Sequence, residues 1–232
     1  MRLRHYMTAS SKSRPKIIYR HVIPILFLHG WGTDSTSFAS IRRFFESNYQ
    51  CVFVDFDCNP KVEMMLDDYA EYVKKTLAEK NITKVNIIAH SFGARVAVLL
   101  AKRNPNLVNR MVLTGAAGLK PRFNIVTWLK IRLYKTFKIG HGSTDYRNLC
   151  PAGKKTFQNI IKCDLSLEIK NLAVSTLLVW GRKDKTTPIY MAKRWTRLQT
   201  GVILKTYPEA GHYAFVDAPA RFIYDVQKFF EV

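Results

Sequence analysis

Four short stretches of the chain carry side chains that together could perform acyl transfer. They are Ser91 in AHSFG (89–93), the glycine loop LHGWG (28–32), Asp184 in WGRKDKTTP (180–188) and His212 in PEAGHYAFVDAP (208–219). A serine hydroxyl is a weak nucleophile until a neighbouring imidazole takes its proton, and a carboxylate can orient that imidazole and stabilise its cation. The tetrahedral intermediate that follows needs two backbone N–H donors aimed at its oxyanion.

Each stretch also has a plainer reading. AHSFG fits the G-x-S-x-G elbow with Ala89 replacing the first glycine, and small residues suit a tight strand-to-helix turn. Ser91 could equally cap the helix that follows. His90 precedes the serine and is expected to pack within the turn. HGWG could be an ordinary turn; read functionally, it offers the Trp31 N–H, and Phe92 after the serine offers the second donor. Asp184 could be a turn residue, but Thr187 followed by Pro188 already supplies an N-cap and a first helical residue, leaving the carboxylate free. Of six histidines (His5, His21, His29, His90, His141 and His212), only His212 lies in a glycine-opened turn downstream of both Ser91 and Asp184. The order Ser, Asp, His with a glycine loop upstream is the one expected for this kind of site. His29, Gly30 and Trp128 are the expected substrate contacts.

These residues need a scaffold that brings them to one edge. Apolar runs at 23–28, 51–54, 85–89, 111–114, 176–180 and 202–207 read as strands, with a further short one at 17–22. Most are continuously apolar, as expected for parallel strands covered on both faces. Helical patterns at 38–46, 65–80, 92–103 and 191–198 lie between them, and a last helix opens at Pro219. The alternation predicts an α/β fold on a mostly parallel sheet flanked by helices. One interval, 119–170, offers helical pieces such as VTWLKIRLYKTFKI but no strand. It is read as a small helical cap inserted into a core of residues 17–118 and 171–232.

At 232 residues with 47% hydrophobic content, the chain fits one large domain with a substantial core. No run of eighteen apolar residues predicts a membrane span. MRLRHYMTASSKSRPK lacks the apolar stretch of a secretory signal and is read as a basic tail over 1–16, with a transit-like segment as the alternative. Four cysteines form no C-x-x-C pair, and reduced thiols in a cytoplasm are the default for a chain of this size. No cofactor and no metal are expected, since no His and carboxylate cluster has ligand spacing.

The charge is unusual. Thirty-seven Lys and Arg against seventeen Asp and Glu give +20, and no acidic residue occurs between Glu79 and Asp145. Such a field favours an anionic small-molecule acyl substrate or peripheral contact with anionic lipid. A solvated basic surface without a specific partner is the alternative. No nucleic-acid-binding motif accompanies the charge, so no specific nucleic-acid partner is expected.

From about Val22 onward the sequence resembles the α/β-hydrolase superfamily, on HGWG (29–32), AHSFG (89–93), GRKD (181–184) and AGH (210–212). Within it the chain is similar to small bacterial-type serine esterases with a compact helical cap. The resemblance implies Ser91 as nucleophile, His212 as general base and then acid, Asp184 as its partner, and Trp31 and Phe92 as oxyanion donors. Acyltransferases, carbon–carbon hydrolases and catalytically silent binding proteins use the same architecture. Two departures stand out. DFDCNPKVE (55–63) replaces the glycine-rich turn common in relatives, and the sheet is expected to have fewer strands than the usual eight.

Overall fold

The computed structural model of the chain describes residues 23–120 and 144–231. The expected tail (1–16), the short strand at 17–22 and the cap sequence VTWLKIRLYKTFKI (126–139) lie outside the described residues. Among the described residues, six strands form one parallel sheet. They are β1 Ile25–Leu28, β2 Cys51–Val54, β3 Val85–His90, β4 Val108–Thr114, β5 Ser175–Gly181 and β6 Ile203–Tyr207, in the spatial order β2-β1-β3-β4-β5-β6. Each matches an expected apolar run. β4 starts earlier than expected because Val108 pairs with Val85 at its polar beginning.

The helices are α1 Ala39–Asn48 (after a 3-10 turn, Ser35–Phe38), α2 Leu66–Glu79, α3 Phe92–Arg103, α4 Thr144–Arg147, α5 Pro151–Lys162, α6 Ser166–Lys170, α7 Ile189–Leu198, α8 Ala214–Asp217 and α9 Pro219–Glu231. Strand side chains alternate between two buried layers. Leu26, Leu28, Ile87, Ala89, Leu178 and Trp180 join Tyr69 and Val73 of α2, Val96 and Leu100 of α3 and Trp195 of α7. Ile25, Phe27, Ile88, Leu177 and Val179 join Phe38, Phe45 of α1 and Phe222 and Val226 of α9. Both faces being covered, alternate residues have no solvent side to be polar on, which explains the unbroken apolar runs. Each fully buried large side chain contributes about 1.5–3 kcal/mol.

The chain passes from β1 outward to β2, then returns to place β3 on the other side of β1. That reversal opens a crevice beyond the carboxyl ends of β1 and β3, where ligands of open α/β sheets bind. Leu28 pairs with Ala89, so the HGWG loop and Ser91 leave the sheet side by side. Gly93 lets them stay that close. Its N–H donates to the His29 carbonyl at 3.0 Å, and a Cβ there would sit 2.3 Å from the Leu28 carbonyl oxygen.

The glycine-free segment 55–63 has its own use. Asp55 accepts from the Ser35 N–H at 2.6 Å. Further on, the Cys150 N–H donates to Asn59 Oδ1 at 2.8 Å, the Met64 N–H to Thr156 Oγ1 at 2.9 Å, and Asn159 Nδ2 to Glu63 Oε1 at 2.8 Å. The segment therefore clamps α5 across the end of the sheet. On its other side, the Leu165 N–H donates to the Gly118 carbonyl at 2.9 Å. The four cysteines are free thiols, and no described helix is long and apolar enough to cross a membrane.

Replacing Gly93 with Ala forces α3 and β1 apart, and neither is free to move. The expected cost is about 1–3 kcal/mol or more, read as a fall in Tm of about 2–4 °C for each kcal/mol. An unchanged Tm would show that the α3–β1 approach is not the constraint described here.

Candidate active site

Ser91 stands between the last residue of β3 and the first of α3, with φ 49° and ψ −107°. A non-glycine residue at positive φ is strained by about 1–3 kcal/mol. The strain is held by bonds on both sides: the Ser91 N–H donates to the Thr114 carbonyl at 3.1 Å, and its carbonyl accepts from the Ala94 and Ala117 N–H groups. Its side chain makes no cap bond to α3. The hydroxyl is thus left free by a backbone that a mere capping serine would not need. Ala89 has no positive φ; buried at the end of β3, it needs only to be small.

Asp184 follows β5 and His212 follows β6, and the two meet. His212 Nδ1 lies 2.8 Å from Asp184 Oδ2, with the carboxylate side chain fully buried. A carboxylate can only accept, so Nδ1 carries the proton and Nε2 is left as the basic nitrogen. Asp184 accepts three more bonds at 2.8 Å each, from the Thr186 N–H, the Thr187 N–H and the Thr187 hydroxyl. Burial pushes the Asp184 carboxyl up, but the bonds from His212 and Thr187 outweigh it and hold it below the usual carboxylate range. Thr187 was expected to cap α7 with Pro188 as its first residue. Instead α7 starts at Ile189, Pro188 is extended, and Thr187 turns back to hold Asp184. The proline directs the chain away from the turn, leaving the threonine's donors for the carboxylate.

Gly115, at φ 52°, packs under the His212 ring, where a Cβ would meet Nδ1 at 2.9 Å. Ser91 and His212 line one cavity of about 610 Å³, but no hydrogen bond between them is formed. Such bonds are often long before substrate binds.

The glycine loop is fixed by a buried histidine. His29 Nδ1 donates to the Gly30 carbonyl at 2.7 Å, while Nε2 accepts the Phe56 N–H at 2.8 Å. The Thr33 hydroxyl adds a second bond to the Gly30 carbonyl at 3.0 Å. No peptide bond is cis, so the Trp31 N–H points opposite to that anchored carbonyl. The Trp31 N–H has no hydrogen-bond partner among the described residues. Phe92, first in α3, likewise has an N–H without an intrahelical acceptor. The Trp31 and Phe92 rings meet edge to face at 5.2 Å. His29, expected among the substrate contacts, is wholly buried and does not reach the cavity; both its nitrogens are spent on backbone. Gly30 does line the cavity, and Trp128 lies outside the described residues.

The rest of the cavity wall includes Arg95, Leu119, Phe157, Ile160, Met191 and Tyr213. His90 also lines it, with its ring 4.6 Å from that of His212. Its Nδ1 donates to the Thr114 carbonyl at 3.1 Å, and its buried Nε2 has no partner. Burial, and then the nearby His212, push the His90 pKa down to about 3. Another depression, of about 640 Å³, lies at the amino ends of β3, β4 and β5 beside Lys84 and Lys102. Its lining includes Ser175 but no histidine or carboxylate.

A family model described as the alpha/beta hydrolase family matches residues 25–226. The chain belongs to that family. An uncharacterised protein of Mycobacterium tuberculosis is 23% identical over 89% of this alpha/beta hydrolase and 75% of its own length. A 2-hydroxy-6-oxo-6-(2'-aminophenyl)hexa-2,4-dienoic acid hydrolase of Metapseudomonas resinovorans is 22% identical over 86% of this chain and 81% of its own. Among solved structures, an alpha/beta hydrolase enzyme from the metagenome of lagoon sediments at Mar Chica, Morocco, superposes with a TM-score of 0.74 at 22% identity, covering 92% of each chain.

The strain at Ser91 and the burial of His90 each have a measurable consequence. Ser91→Gly removes ~1–3 kcal/mol of strain and adds ~0.5–1 kcal/mol of unfolded-chain entropy. The variant should be more stable by about 1 kcal/mol in urea denaturation, and a lower midpoint would contradict the strained elbow. His90 in the unfolded chain takes up a proton below 6.5, whereas in the folded protein it stays neutral down to about 3. The unfolded state therefore binds more protons across that window, and stability falls as pH falls, by up to about 1.4 kcal/mol per unit. Denaturation at a series of pH values should show a shallower acid slope for His90→Gln than for the wild type.

Proposed function

We propose that this alpha/beta hydrolase is a serine hydrolase that cleaves a carboxylic ester, or a related acyl bond, through an acyl-enzyme. The observation that carries this reading is the 2.8 Å bond from His212 Nδ1 to Asp184. It leaves Nε2 basic on a ring that shares one cavity with Ser91. His212 takes the Ser91 proton as the oxygen attacks the carbonyl, and the imidazolium is stabilised by the buried carboxylate. The N–H groups of Trp31 and Phe92 receive the oxyanion, each such donor typically contributing about 3–4 kcal/mol. The imidazolium then gives its proton to the leaving alcohol. Water, deprotonated by the same nitrogen, attacks the acyl-enzyme and frees the acid.

Residues 119–170 act in this reading as the cap, with Phe157 and Ile160 of α5 forming the apolar roof over the acyl group. A second reading, hydrolysis of a carbon–carbon bond with the same three side chains, is supported by the name of the Metapseudomonas resinovorans relative. It differs in the leaving group, a carbanion delocalised into a conjugated ketone that takes the imidazolium proton in place of an alkoxide.

Incubation with a fluorophosphonate should label wild-type protein at Ser91 and leave Ser91→Ala unlabelled. Asp184→Asn should lower kcat on an activated ester by about 10⁴-fold, through loss of the Nδ1–H tautomer. Wild-type protein that neither labels nor turns over any ester would refute the hydrolase reading. Product analysis on paired esters and vinylogous 1,5-diketones separates the two bond types.

A further inference from the structure

Arg95 is the least explained residue of the cavity. It lies on α3 four residues after Ser91, about one helical turn, on the same side of the helix. Only 8% of it is exposed, yet it forms part of the cavity wall beside Leu119, Phe157, Ile160 and Met191. One of its donors, Nη1, bonds the Cys163 carbonyl at 2.7 Å. A guanidinium carries five N–H donors, so a single carbonyl leaves most of them unused. No carboxylate forms an ion pair with it among the described residues. Asp164 acts on it electrostatically without forming an ion pair, and its Oδ1 accepts the Ser166 N–H at 3.1 Å and the Ser166 hydroxyl at 2.5 Å. Burial pulls the Arg95 pKa down, with Cys163 and Asp164 opposing only in part.

A buried charge without a direct ion pair is expensive. A structural tie to one carbonyl does not require it, since a neutral donor would serve. Beside it the cavity wall is apolar at Leu119, Phe157, Ile160 and Met191. A planar carboxylate matches the two-pronged guanidinium fork.

We propose that Arg95 is the specificity-determining residue of this site, and that the acyl substrate carries a second, ionised carboxylate that docks on its guanidinium. This rests on Ser91 being the nucleophile: one rigid helix start then holds the reacting carbonyl, and the turn behind it holds the far end of the acyl chain. The excess of positive charge on the molecule draws such an anion in.

The test compares the p-nitrophenyl half-ester of glutarate with p-nitrophenyl valerate, which has a similar acyl length without the charge. The wild type should favour the half-ester in kcat/KM. In Arg95→Met that preference should fall by about 10- to 100-fold, mostly through KM, as expected for loss of a charged hydrogen-bonded pair. Arg95→Lys, which keeps the charge and stem without the fork, should retain part of it. Circular dichroism of both variants confirms folding. A wild type that prefers the valerate, or a preference unchanged in both variants, overturns the proposal. Calorimetric titration of monomethyl glutarate into Ser91→Ala keeps the question independent of turnover. Binding that is lost in Ser91→Ala/Arg95→Met supports the anion site even if no ester is hydrolysed, and binding equal in the two proteins overturns it.

Discussion

The site depends on how closely the start of α3 can approach the end of β1. Any side chain at residue 93 would overlap the Leu28 carbonyl, so glycine is the condition for the contact. Because the helix start is pressed against β1, the chain between β3 and α3 has one residue in which to reverse, and Ser91 takes up positive φ. The same contact brings the Phe92 and Trp31 rings edge to face at 5.2 Å, one on the helix and the other on the loop leaving the strand. The turn at Ser91 and its place beside that loop are therefore consequences of a single backbone packing.

Three histidines sit near this junction, and their environments give them different tasks. His29 has both nitrogens committed to backbone and works as a brace for the Gly30 carbonyl. His90 is neutral by burial and lines the site without adding charge next to His212. His212 has one nitrogen fixed by Asp184 and the other uncommitted. A second positive charge beside His212 would oppose the imidazolium that acyl transfer requires. In the proposed reaction the neutrality of His90 keeps a second charge away from the His212 ring.

Much of this was legible in the sequence, and what was not has identifiable physical causes. The strands were legible because β1 to β5 are buried on both faces and read as apolar runs. Ser91, Asp184 and His212 were legible because each sits in a short polar or glycine-marked loop after such a run. Thr187 was misread because Thr-Pro is a good local signal for a helix start, while its actual partner, Asp184, lies in the same turn and competes for the same donors. His29 was placed in the cavity by its position next to Gly30; only the Phe56 N–H, distant in sequence, shows that the ring points the other way. Gly115 gave no signal beyond a glycine after a strand, because the ring it accommodates comes from residue 212. Arg95 gave no signal beyond its place in a helical run. Its meaning appears only when the insertion covers it and takes away its solvent.

That last point links chemistry to selectivity. Helix α3 carries Ser91 at its cap, Phe92 as its first residue and Arg95 one turn further on. The insertion includes, among its described residues 144–170, α5, which lines the cavity. It is tied down by the glycine-free segment 55–63 on one side and by Gly118 on the other. Its Cys163 carbonyl takes a bond from Arg95, and Phe157 and Ile160 share the cavity wall with that guanidinium, which is only 8% exposed. An electrostatic interaction worth little in water is stronger at so buried a group, which is the basis of the selectivity proposed for Arg95. The segment 55–63 contributes to that enclosure through its bonds to α5 and its N-terminal end, since α5 supplies Phe157 and Ile160 to the cavity wall.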